Sequence, residues 1–210
     1  MLSLNLNPDN CPDELTAQKV LLDQEGYTVF AILEIAMIQE YEITYNCYVL
    51  IREDETGDIQ SLYSEKDVFI LNGLIMQSVI IDTAIYKISD EKRAIGIQVK
   101  ATNHSRISPF LETTLSLFML ENNELICVLD KYPVGEYNGE WDDRCAGQFT
   151  DAKTVLIMSD KKSNGYYDII TQRTYRTTTS YLIDEECDYE EHISHATKTI
   201  HFVDGWYKWE

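Results

Sequence analysis

The 210-residue chain is short of most residues and motifs that identify a function. Its longest apolar stretches, Val29 to Ile38 and Val68 to Ile81, are broken by Glu34, Asn72, Gly73 and Gln77. Neither approaches the roughly 20 uninterrupted residues that a membrane-spanning helix needs. The opening Met-Leu-Ser-Leu-Asn-Leu-Asn-Pro has no basic region and no sustained apolar core, so the chain as written carries no secretory signal. Two readings follow: a cytoplasmic protein, or an exported one in its mature form behind an added Met1. There is no Gly-rich phosphate loop and no basic aromatic stripe suited to single-stranded nucleic acid. Positive charge is scarce, with 17 Lys and Arg against 36 Asp and Glu. A formal charge of -19 repels nucleic acid and anionic lipid and favours cations or basic proteins as partners.

Cysteine is sparse. Cys11, Cys47, Cys127, Cys145 and Cys187 match no zinc-finger, ribbon or Cys-x-x-Cys spacing, and an odd count leaves at least one thiol unpaired in a monomer. Cys127 and Cys145 form the best bridge candidate, one ending an apolar strand and the other following a polar loop. Buried unpaired thiols are the alternative.

What the chain does have is a hydrophobic fraction of 44 % and fourteen Tyr, too much apolar surface for a disordered acidic tail. Its apolar residues mostly alternate as in half-buried strands. The expected fold is all-β, mainly antiparallel, as a sandwich or propeller-like blades. One short N-terminal helix is expected between Asn10 and Gly26, with Pro12 at its start, Asp13 and Glu14 in its first turn, and Leu15, Leu21 and Leu22 on it. Tyr27 to Ile38 and Ile43 to Ile51 read as strands, and Arg52 to Asp58 as a turn before Ile59 to Tyr63. That acidic turn lacks the ligand series of an EF-hand. Hairpins are predicted through Glu121-Asn122-Asn123-Glu124, through Asp204-Gly205 and through Lys161 to Gly165, because Asn and Gly accept the positive φ of tight turns. A single domain over residues 1–210 is expected, with 131–148 as a possible internal boundary.

Several segments occur in a fixed order. They are Arg93-Ala94-Ile95-Gly96-Ile97-Gln98-Val99, Ser105-Arg106-Ile107-Ser108-Pro109, Leu115-Ser116-Leu117-Phe118, Gly139-Glu140-Trp141-Asp142, Cys145-Ala146-Gly147 and Gly165-Tyr166-Tyr167-Asp168. Over about Ala84 to Ile170 this series resembles a set of uncharacterised proteins that Gram-negative bacteria export to the periplasm. The resemblance implies location and fold and carries no catalytic residues. It also implies an oxidising compartment, which favours the Cys127–Cys145 bridge.

For chemistry, the densest polar segment runs from Asp184 to His195. Cys187, His192 and His195 offer a nitrogen and sulfur ligand set for a transition metal, and the six carboxylates Asp184, Glu185, Glu186, Asp188, Glu190 and Glu191 could hold a hard cation. A solvated acidic loop is the plainer reading of the same run. Ser105 beside His104 lacks a nucleophile elbow, and adjacent strand residues face opposite ways. With so many acids, paired carboxylates carry no information. Among the aromatics, Tyr137 and Trp141 sit between Glu136, Glu140, Asp142 and Asp143, which reads as an exposed aromatic and acidic patch. Tyr132, Trp206, Tyr207 and Trp209 suit either packing or an interface.

The expected function is therefore non-catalytic capture of a basic protein, for example as an immunity protein against a secreted antibacterial toxin, with no cofactor. The acids and aromatics of 136–143 and 184–191 are its expected contact residues. A metal-assisted hydrolase using Cys187, His192 and His195, or an accessory envelope protein, are the alternatives.

Overall fold

Every hairpin turn expected from an Asn or Gly signal is present. Asn122 and Asn123 take φ values of 51° and 66°, Asn164 and Gly165 51° and 85°, and Asp204 and Gly205 54° and 94°. These are the left-handed pairs that match the twist of two-residue hairpins. The computed structural model describes residues 4–21 and 25–209, and in these the turns connect an all-β, antiparallel chain.

A four-stranded sheet holds β1 (Thr16–Val20), β2 (Tyr27–Ile38), β3 (Glu42–Glu53) and β4 (Ile59–Asn72) in sequence order. The chain then turns at Gly73, with φ 69°, into an eight-stranded meander. That sheet runs β5 (Ile75–Lys87), β6 (Arg93–Thr102), β7 (Phe110–Glu121), β8 (Glu124–Trp141), β9 (Gly147–Ser163), β10 (Tyr166–Ile183), β11 (Glu186–Val203) and β12 (Trp206–Lys208). The segment expected as an internal boundary, 131–148, holds the second half of β8 and the turn into β9. The change of sheet comes earlier, between β4 and β5.

Among the described N-terminal residues, helical geometry is confined to two 3-10 turns, Pro8–Asn10 and Asp13–Leu15, with the acids in the first turns as expected. Thr16–Val20 pairs with β2 instead of continuing a helix, and Leu22 lies outside the described residues. A short isolated helix is marginal, whereas pairing as a strand satisfies the backbone and packs Ala17 on the core beside Leu15 of the preceding turn.

Two cores lie on opposite faces of the same central strands. In the first, Val29, Ala31 and Leu33 of β2 and Val49 and Ile51 of β3 pack on Val79, Ile97, Val99 and Phe118 of the second sheet. This is a sandwich. On β7 the alternate residues Leu115, Leu117 and Met119 turn the other way. They form the second core with Ile169, Ile200, Phe202 and Tyr207, contributed by the last three strands. The period-2 alternation of β7 thus serves two cores at once. Gly96, on the second-core face of β6, is required there: a Cβ would sit 2.8 Å from the Tyr86 ring and 2.9 Å from Asp82 Cβ.

Beyond the second core, β10 and β11 continue outward as an arm. From Glu186 to Thr199 every residue of β11 is exposed.

Candidate functional site

The arm carries the densest predicted acids. Asp184 and Glu185 form its tip, at φ 49° and 69°, and Glu186, Asp188, Glu190 and Glu191 follow along β11, all exposed. Strand alternation puts Glu186, Asp188 and Glu190 on one face and Glu191 on the other, where Arg176 reaches it at 3.5 Å. The register extends the first face inward, because Glu190 pairs across Thr179 and Gln148 to Glu140 of β8. Glu140 itself borders a polar hollow of about 370 Å³ with Asn138, Gln148 and Phe110.

The other predicted patch, 136–143, is split by the same alternation. Glu136 and Glu140 face one side of β8, and Tyr137 and Trp141 the other. Tyr137 stacks parallel to Phe149 at 6.1 Å between centroids. Glu136 is committed internally, paired with the largely buried Arg173 at 2.8 Å. Asp142 accepts backbone N–H bonds from Arg144 and Cys145 at 2.9 Å, and these bonds hold its carboxyl below the usual aspartate range. Asp143 meets Arg106 at 3.2 Å. Asp142 and Asp143 therefore shape the turn and Glu136 serves an internal ion pair, while the six acids of the arm are exposed.

Two expectations are corrected here. The disulfide joins Cys145 to Cys187, not to Cys127. Cys127 and Trp141 lie near opposite ends of β8, roughly 45 Å apart at about 3.3 Å per residue, so Cys127 and Cys145 cannot meet. Cys127 instead packs on the first core, where burial and the nearby carboxylates Asp130 and Glu65 push its thiol up to about 12. Cys145 lies in the turn before β9, and the ladder pairs Gly147 with Ser180 and Leu182 with Cys187, bringing the bridged Cα atoms to 5.7 Å. The metal alternative falls with the same bridge: Cys187 has no free thiolate. His192 and His195, three apart on one strand, project to opposite faces. Among the described residues no three His, Cys, Asp or Glu side chains are grouped to hold a metal ion.

One cluster looks like a hydrolytic triad and is not arranged as one. His201 Nδ1 lies 3.1 Å from Oδ2 of the buried Asp168 and 3.2 Å from Ser163 Oγ. A relay needs acid and nucleophile on different ring nitrogens, and here both share one. His104 and Ser105 lie in the exposed loop before Pro109, where Ser105 Oγ accepts the Ser108 N–H at 2.9 Å.

A groove of about 450 Å³ lies where the end of β4 and the start of β5 meet β12. Its walls are Phe69, Leu71, Met76, Trp206 and Trp209, and its polar groups are Glu112, Thr114, Asp130 and Lys131. A register shift in β8 creates it. Lys131 adopts φ 45° and donates its N–H to Ser116 Oγ at 3.0 Å, which aims Asp130 and Lys131 into the groove. Trp209 closes the far side, its Nε1 donating to Asp130 O at 2.9 Å and its ring edge-on to Tyr132 at 5.3 Å. The sequence signal was only the pair of C-terminal tryptophans, because the remaining walls come from strands far apart in the chain.

Comparison with known families, with curated proteins and with solved structures finds no match to this chain.

Proposed function

We propose that the chain is a non-catalytic binding protein that captures a basic protein through its acidic arm. The observation that supports this reading is the concentration of six exposed carboxylates on Asp184 to Glu191, with Arg176 as the one cation paired to them among the described residues. An exposed outer strand, β11, backed by β10 and β9, presents this field to solvent, which accelerates encounter with a positively charged partner. The bridge at its tip keeps the carboxylates in register, limiting the ordering cost of association.

Within this reading the partner is a secreted antibacterial toxin or cell-wall hydrolase, and the chain acts as its immunity protein in the periplasm. The disulfide is compatible with an oxidising compartment.

The test uses the basic product of a neighbouring gene as the analyte. Its association rate is expected to fall at least about tenfold between low and high salt. The variant D184N/E185Q/E186Q/E190Q should slow association and leave dissociation nearly unchanged. An association rate insensitive to both salt and neutralisation would refute the reading.

A further inference from the structure

We infer that the groove between β4, β8 and β12 is a receptor for one basic side chain, a Lys or Arg of a partner polypeptide. Only the owner of that side chain rests on the function proposed above; the chemistry of the groove stands on its own observations.

The first observation is a charge balance. Asp130 pairs with Lys131 at 3.4 Å, Glu136 with Arg173 at 2.8 Å, and Lys208 with Asp204 at 2.6 Å. Glu112 has no ion pair and accepts no hydrogen bond among the described residues. It stands directly opposite Glu136 in the β7–β8 ladder, a like-charge placement that costs stability. Arg173 is committed to Glu136, so its pull on Glu112 offsets only part of that cost. Burial first, and the Glu136 charge second, hold the Glu112 carboxyl above the usual glutamate range. An unpaired carboxylate lining a groove is a destabilising feature that a ligand cation relieves.

The second observation is the aromatic wall. Phe69, Trp206 and Trp209 surround the same space, and Trp206 is 43 % exposed. Ring faces attract ammonium and guanidinium groups while packing the apolar stem that carries them. The protein already uses this chemistry at the rim: Lys131 Nζ lies 5.4 Å from the Phe69 centroid and Lys208 Nζ 5.8 Å from that of Trp206. Both lysines are neutralised by their own aspartates, leaving Glu112 to set the sign of the groove.

The test titrates N-acetyl-lysine methylamide and N-acetyl-arginine methylamide against the whole protein, following the indole N–H resonances of Trp206 and Trp209. Saturable shifts of both are expected, with the uncharged isostere N-acetyl-norleucine methylamide at least about tenfold weaker. E112Q should lose about tenfold in affinity for the charged probes and none for norleucine. Affinity for the charged probes should rise with pH as Glu112 ionises. E112Q is not expected to unfold. A raised carboxyl contributes stability at low pH that is lost as pH rises through its titration, so the variant should melt higher than the parent at neutral pH. The arm variant D188N should bind the probes as the parent does, so failure of the groove and failure of the arm read out separately. Equal binding of norleucine, unchanged binding by E112Q, or no saturable shift at tens of millimolar probe would each overturn the inference.

Discussion

Replacing both bridged cysteines, C145S/C187S, should loosen the arm and leave the two cores intact. The bridge closes a segment with a sequence separation of 42, which includes β9, β10 and the start of β11. The loop-entropy relation gives such a closure a ceiling of about 4 kcal/mol. Where that cost falls depends on what else holds each part. Ile97, Leu117, Leu129 and Ile169 are at most 2 % exposed, whereas β11 from Glu186 to Thr199 contributes no buried side chain. In the arm β11 is held by its ladder to β10 and by the bridge, while β10 is also paired with β9 as far as Gly147–Ser180, so the lost free energy should appear as local opening of β11 from β10. The amides of β10 and β11 that face each other between Arg173 and Ala196 should then lose up to roughly three decades of hydrogen-exchange protection, at about 1.4 kcal/mol per decade. Amides of β6 and β7 should stay within about a factor of three, because their cores are not touched. Equal loss of protection in the arm and in β6–β7 would refute the reasoning, as would an arm whose exchange is unchanged.

Gly139→Ala should destabilise by about 1–3 kcal/mol, since its Cβ would lie 2.3 Å from Phe149 Cδ1 and 2.7 Å from the Gln148 carbonyl; chemical denaturation of the variant checks this. Thiol labelling of the native protein at pH 8 should modify Cys11 well before Cys47 and Cys127. Burial and neighbouring carboxylates push the thiols of the buried Cys47 and the half-buried Cys127 up to about 12; burial and Glu34 raise Cys11 as well. Labelling of all three at one rate would contradict that ordering.

Much of this architecture was legible in the amino-acid order, for a local reason. Strand periodicity is written in side chains two apart, so Tyr27–Ile38 was readable as β2 to the residue. Left-handed turn geometry is written in Asn and Gly, so three hairpins were readable at Asn122-Asn123, Asn164-Gly165 and Asp204-Gly205. Net charge is additive and needs no fold to be counted.

Partnership between distant strands was not legible. The choice of Cys187 over Cys127 for Cys145 depends on the length of β8 and the register of three successive hairpins, neither of which any single segment states. The pairing of Glu136 with Arg173 depends on the same register, which brings β8, β9 and β10 side by side. Glu112 shows the limit most clearly. In sequence it is one acid among thirty-six. It becomes distinct only because pairing places Glu136 opposite it, Arg173 answers Glu136, and β4 and β12 close around the remaining charge. Local propensities act over a few residues and can be read before the fold is known, although pairing overrode them at Thr16–Val20, whereas burial and electrostatic surroundings are properties of the assembled strands alone.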